Sequence, residues 1–410
     1  MKKEQWGVMR KVAFWLWLMK EILLFYFAIP LRLLFSLLVA FMWKPAFSFN
    51  QNLLEDNGDP HEKYREYVKS FNPYEYVRYA SLDQAKFLGM YLAVHPSEEN
   101  KKLLMSYITK DGYFTRKAFD RVGTWSGDMT AGWLYAFTSY LREGLIDETD
   151  IVKFVYACRR AFFEKPYCQH MGLGEEADRG FLFRWWFVGH DFVVLLAVLT
   201  VLKRISGEKK WEVLYSIFRL LSFPWIDLFP ESSIQRGKLF WVSWYASHSR
   251  AVLASAVLNI DPENRLFKRV LRKTYEKHRF YNPDIVAIYS KHFGWDQNRK
   301  EFAETWLRDY TGNKARRFLP EEWRVEYIHI KYLLKRRNIK EAKFVASRFV
   351  LPTKFRNNEY LWEKDVLAES FGTKSHLDYM HLYKLWRDAH EQSKAKTYSH
   401  QARRTETQTL

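Results

Sequence analysis

At 410 residues the chain exceeds the usual single-domain size of roughly 100 to 200, so two domains or one large closed architecture are expected. Its net charge of +18, from 65 Lys and Arg against 47 Asp and Glu spread along the whole chain, favours anionic partners such as lipid headgroups, acidic glycans or nucleic acid. Only two cysteines occur, Cys158 and Cys168, and they form neither a CxxC pair nor a Cys/His cluster at metal-ligand spacing, which argues against a thiolate zinc site.

The chain opens with a long apolar run over 13–43, interrupted only by the charges Lys20, Glu21 and Arg32. That is too long for a signal-peptide core, and no small-residue cleavage site follows it. Ile22 to Trp43 is long enough for a spanning helix kinked at Pro30, and Lys2, Lys3, Arg10 and Lys11 before it place the N-terminus in the cytoplasm and the bulk of the chain outside. A helical hairpin turning at Pro30 and Arg32, or a pair of interfacial helices, keeps both ends cytoplasmic instead. A buried hairpin of a soluble protein is the third alternative. Residues 1–48 are therefore expected to be a membrane anchor.

From about residue 50 the sequence turns polar and acidic, NQNLLEDNGDPHEKYREY, and 49–59 reads as a linker. A helical domain is then expected over 60–390. Apolar residues recur at three- and four-residue spacing in 82–94, 129–142, 149–163, 191–203, 210–221, 250–258, 264–275, 284–292 and 322–337. Turn signals such as His95-Pro96-Ser97, Asp111-Gly112, Gly144, Ser206-Gly207 and Asp261-Pro262 fall between them. Strand-like alternation is weak, so the domain reads as all-α with at most a short hairpin or two. The last twenty residues, 391–410, carry almost no apolar side chains and are expected to be a disordered tail.

Several helices open with one kind of phrase, in which aromatic or small residues lead into a polar pair. The phrases are Tyr79-Ala-Ser-Leu-Asp83-Gln84, Trp125-Ser-Gly127-Asp128, Trp185-Trp186-Phe-Val-Gly189-His190-Asp191 and Trp244-Tyr245-Ala-Ser247-His248-Ser-Arg250. Weaker echoes stand at Tyr281-Asn-Pro283-Asp284 and Tyr327-Ile-His329. Six units of this spacing suit six helical hairpins closed into a ring, with the inner helices starting at one rim, where their positive ends favour anions.

The run Asp111-Gly-Tyr-Phe-Thr-Arg116, followed by Ser126-Gly127-Asp128-Met-Thr-Ala-Gly132-Trp133, resembles phrases of glycoside hydrolases and polysaccharide lyases of the (α/α)6-toroid type. In those families the polar residues at such helix openings line a sugar cleft. The resemblance implies an (α/α)6 toroid-like ring behind the N-terminal membrane helix or hairpin, and an activity on glycans. No family signature with two assigned carboxylates is present.

On that reading Asp128, His190, Asp191 and His248 are candidate acid–base groups, a carboxylate or a His–Asp pair being able to carry a proton. Trp125, Trp185, Trp186, Trp244 and Tyr245 are candidate sugar-stacking platforms, and Arg184 and Arg250 candidate binders of a uronate or sulfate. Each has an ordinary alternative: Ser126 or Asp128 as a helix cap, the Trp residues as packing, the His residues as hydrogen-bonded core. Glu175, Glu176, Asp227 and Glu231 are loop carboxylates that could complete a two-acid site. No metal or cofactor is expected, because nucleotide-loop, dinucleotide, zincin and α/β-hydrolase motifs are all missing. The expected partners are an acidic polysaccharide and membrane lipid, with nucleic acid disfavoured because basic runs such as Lys314-Ala-Arg316-Arg317 and Lys335-Arg336-Arg337 are more often solvated helix faces. The competing reading is a non-catalytic, membrane-attached structural or assembly protein.

Overall fold

The computed structural model describes residues 58–79, 84–115, 118–119, 127–163, 189–222, 226, 232–235, 238–241, 244–279, 282–309, 377 and 379–391. The expected anchor, the helix expected at 322–337, the loop carboxylates and the basic runs named above lie outside these residues, as does the tail beyond 391. Among the described residues no helix is long and apolar enough to cross a membrane.

The described chain is all-α apart from one short hairpin. In order it runs α1 (Pro60–Ser70), α2 (Pro73–Tyr79), α3 (Gln84–Val94), α4 (Glu98–Met105), α5 (Gly127–Arg142), α6 (Glu148–Phe163), α7 (Gly189–Ser206), α8 (Lys209–Leu221), β1 (Ser232–Gln235), β2 (Lys238–Trp241), α9 (Trp244–Ile260), α10 (Arg265–His278), α11 (Pro283–Phe293), α12 (Gln297–Asp309) and α13 (379–391). The two strands pair antiparallel, Ser232 opposite Trp241 and Gln235 opposite Lys238. Every helix anticipated from periodicity within the described residues is present. The helices α1, α2, α4, α12 and α13 were not anticipated; α1, α2, α4 and α12 are short or mostly polar and touch the core through few side chains, α12 burying only Ala303, Trp306 and Leu307, and α13 mixes charged residues with its apolar ones.

Local chemistry sets the starts. Asp59 accepts from the His61 N–H at 3.0 Å and Pro60 fills the first turn, so a helix begins directly after the stretch 49–59 that reads as a linker. Ser97, Asn264 and Asn282 cap α4, α10 and α11 in the same way.

Two kinds of helix alternate. The helices α3, α5, α7, α9 and α11 are buried along most of their described side chains, and α13 is buried over its first turns but carries the charged Lys384, Arg387 and Asp388 beyond them, whereas α4, α6, α8, α10 and α12 bury one stripe and expose the other. Between α3 and α5 the backbones touch. A Cβ at Gly132 would overlap the Lys86 carbonyl, and one at Gly89 would lie 2.8 Å from the Trp133 nitrogen. Gly132→Ala is therefore expected to lower stability by about 1–3 kcal/mol through overpacking, measured as a shift in the urea midpoint. An unchanged midpoint would mean that the two helices do not cross there.

The first described helix meets the last. Tyr64 stacks on Tyr383 at 4.1 Å between ring centres, the Tyr379 hydroxyl donates to the Pro60 carbonyl at 2.9 Å, and Lys63 donates to the Arg308 carbonyl at 2.8 Å. The Tyr64 hydroxyl also meets His95 Nε2, at the end of α3, at 2.8 Å. Thus α1 lies against α12, α13 and α3. The order of contacts departs from a simple ring of consecutive hairpins, however. In such a ring α7 would separate α5 from α9, yet α5 packs directly on α9, and α7 lies against α8 and α9. The small residues of α9, Ala251, Ala254, Ser255 and Ala256, permit that approach.

Candidate functional site

Three of the buried helices contribute a polar side chain from the first turn or so to one cluster. Asp284 is the second residue of α11, His248 lies near the start of α9, and His381 near the start of α13. His248 Nε2 donates to Asp284 Oδ2 at 2.7 Å and His381 Nδ1 donates to Asp284 Oδ1 at 2.6 Å, with all three side chains fully buried. The carboxylate is fixed by its place in the helix, since Asn282 receives the Asp284 and Ile285 amides at 3.1 and 3.3 Å and Pro283 sets the first turn.

Burial alone pushes the Asp284 carboxyl up, but the His381 charge and the hydrogen bonds from both imidazoles outweigh it and hold the group below the ordinary carboxylate range. An ionised Asp284 fixes the tautomers, with the proton of His248 on Nε2 and that of His381 on Nδ1. His381 Nε2 is buried and without a hydrogen-bond partner among the described residues. A carboxylate on Nδ1 with Nε2 unspent is the arrangement that makes an imidazole a proton carrier.

Tyr135 of α5 presents its ring edge-on to His381, with centroids 5.7 Å apart at 81°. Its hydroxyl accepts from Lys291 Nζ at 3.2 Å. Lys291 also donates to Asn259 Oδ1 at 2.9 Å, and the Asn259 amide reaches Ser139 at 3.0 Å and Thr138 at 3.3 Å. Beside it Ser255 and His292 Nε2 are 2.7 Å apart. A polar layer thus continues from the triad towards the far ends of α5, α9 and α11. Burial raises the Tyr135 hydroxyl, and burial followed by repulsion from Arg142 pulls the Lys291 amine down to about 7.

A pH dependence follows from Lys291. In the unfolded chain the amine binds its proton up to about pH 10.4, in the folded chain only to about 7, so between these values the unfolded state holds more protons and stability rises with pH. Lys153, also lowered by burial, acts in the same direction. The urea midpoint is expected to climb from pH 7 to pH 9 and the climb to shrink in Lys291→Met; an identical slope in the variant would show that Lys291 stays charged.

Of the residues singled out in the sequence, His248 lies in the triad. His190 and Arg250 are buried at 3% and 2% exposure, within the first two turns of α7 and α9. Asp128 and Asp191 stand at the starts of α5 and α7, and Trp244 and Tyr245 open α9, but their side chains lie outside the described set, as do Trp125, Arg184, Trp185 and Trp186 altogether. Trp133 is core: it donates to the Leu104 carbonyl at 3.0 Å and packs on Phe114, Phe137 and Phe154. Sequence reasoning passed over His381, which has no aromatic phrase before it, and placed Asp284 only among the weaker echoes.

Among the described residues no group of three His, Cys, Asp or Glu side chains is arranged to hold a metal ion. Compared with protein families, with curated proteins and with solved structures, the chain matches none.

Proposed function

We propose that the chain is a membrane-tethered carbohydrate-active enzyme built on a ring of helical hairpins related to the (α/α)6 toroid, acting on an acidic polysaccharide through His381. Support for the ring comes from the alternation of buried and half-exposed helices and from the meeting of α1 with α12, α13 and α3. The observation that carries the activity is the Asp284–His381 pair with Nε2 unspent. Glycoside hydrolysis ordinarily uses two carboxylates, whereas the cluster holds one carboxylate between two imidazoles. That set suits elimination: His381 Nε2 takes the proton next to a uronate carboxyl, the electrons of that C–H bond form a C=C bond, the C–O bond to the neighbouring sugar breaks, and the imidazolium so formed returns the proton to the leaving oxygen. Asp284 steadies the imidazolium that forms, and His248 holds Asp284 from its other side.

The test is a panel of uronate-containing polysaccharides incubated with the full chain in detergent. New reducing ends together with an ultraviolet-absorbing unsaturated uronate are expected. Reducing ends without the new absorbance would replace elimination by hydrolysis, and neither product on any glycan would remove the enzyme reading.

Complete burial of the triad favours a second reading, in which the chain is a non-catalytic membrane-attached structural or assembly protein and the triad only fixes the packing of α9, α11 and α13. Under it, triad variants lose stability and nothing else.

The tether is tested separately. A chain beginning at Asn50 is expected to fold in detergent-free buffer and to leave the membrane pellet, whereas the full chain stays in it. Sedimentation of the shortened chain with membranes would reject residues 1–48 as the anchor.

A further inference from the structure

We infer that the outer face formed by α6, α8 and the loop before α5 rests on an anionic lipid surface. All the large apolar side chains exposed among the described residues fall here: Phe119 of the loop, Val152 and Tyr156 of α6, and Val213 and Leu220 of α8, Leu220 at 75% exposure. The three elements are neighbours. Lys153 donates to the Met105 carbonyl at 3.0 Å, the Phe119 amide donates to the adjoining Ser106 carbonyl at 3.2 Å, and Phe162 and Phe163 meet Trp211 with ring centres 5.4 and 5.8 Å apart.

On α8 the outward apolar residues Val213 and Leu220 are two turns apart on one helix face, while Trp211, Leu214, Phe218 and Leu221 hold the core-facing side. The outward stripe is therefore fixed in orientation and spare to the core. Phe119 adds a second sign: it has φ of 62°, the left-handed region that a bulky side chain rarely adopts, and it faces solvent.

Charge selects the occupant. The exposed cations Arg159 and Lys209 lie on α6 and α8 themselves, and Lys203 and Arg204 stand at the adjoining end of α7, where Lys203 lies over the Tyr215 ring at 4.7 Å. Of the acids nearby, Glu208 is paired with Lys210 and Asp147 and Asp150 lie 3.5 Å from Lys101, which leaves Asp111 beside Tyr156, Glu148 and Glu212 as acids outside those pairs. Scattered apolar side chains that dip into the headgroup layer, ringed by Lys and Arg that meet its phosphates, are the composition of an interfacial membrane face. The inference rests on the tether only for bringing lipid within reach, and it does not depend on the activity.

The test uses the full chain with Cys168→Ser, Cys158 being buried, and one labelling site at a time: Leu220→Cys, Val152→Cys, or Glu301→Cys on the exposed side of α12 as the control. Each carries an environment-sensitive fluorophore and is incorporated into phosphatidylcholine vesicles with or without phosphatidylglycerol, with brominated lipid as quencher. Quenching several-fold greater at 220 and 152 than at 301, and only with the anionic lipid, is expected. Quenching at 220 and 152 no greater than at 301, while the protein still floats with the vesicles, would overturn the face and leave the tether standing. Equal quenching in both lipid mixtures would overturn the role of charge.

Discussion

Asp284→Ala is expected to lower the unfolding free energy by about 3–5 kcal/mol at neutral pH, because it strands two fully buried imidazoles that it now bridges. The loss has three parts. A charged acceptor disappears, the two donors are left unpaired in a dry environment, and the cap geometry at the start of α11 loses the side chain beneath which α9 and α13 converge. Asp284→Asn should cost less, since the amide oxygen still accepts from one imidazole, though its nitrogen faces the other donor. The pH dependence has a definite sign. A carboxyl held below its ordinary value contributes stability that is complete above the unfolded value of about 4 and is lost as pH falls below it. Urea midpoints measured from pH 7 down to pH 3 should therefore fall in the parent chain and fall less in Asp284→Ala. A variant as stable as the parent at pH 7 would show that the two imidazoles do not depend on Asp284.

The difference between what the sequence disclosed and what it hid follows burial. Helices such as α5 and α9 were legible because apolar residues recur along them at helical spacing and polar residues stand only at their ends. The polar α1 and α12 were not, since helices of that composition are held by a few contacts, Tyr64 on Tyr383 or Trp306 in the core, that no local pattern announces. The recurring polar openings correctly drew attention to His248, yet its two partners are 36 and 133 residues further along the chain, and only the packing of α9 against α11 and α13 selects them. Gly132 illustrates the same limit. It stood in the phrase that resembles sugar-cleaving toroids, but its place in the fold is set by the approach of α3 to α5, a steric matter that leaves no trace in periodicity.

His381→Gln is expected to reduce kcat on the glycan substrate by about 10²–10⁴-fold with little change in KM, the range typical of losing a general base. Glutamine keeps a donor that can reach Asp284, so the buried hydrogen bond and much of the packing survive, but an amide cannot take up a proton. The pH profile separates chemistry from structure. In the parent, kcat/KM should show an acid limb, and in His381→Gln the residual rate should lose that limb. His248→Gln serves as the comparison: His248 acts on the reaction only through Asp284, so its replacement should lower the rate less and leave the acid limb in place. If His381→Gln and His248→Gln were equally impaired in stability and equally active, the triad would be a packing device, and the structural reading of the protein would stand in place of the enzymatic one.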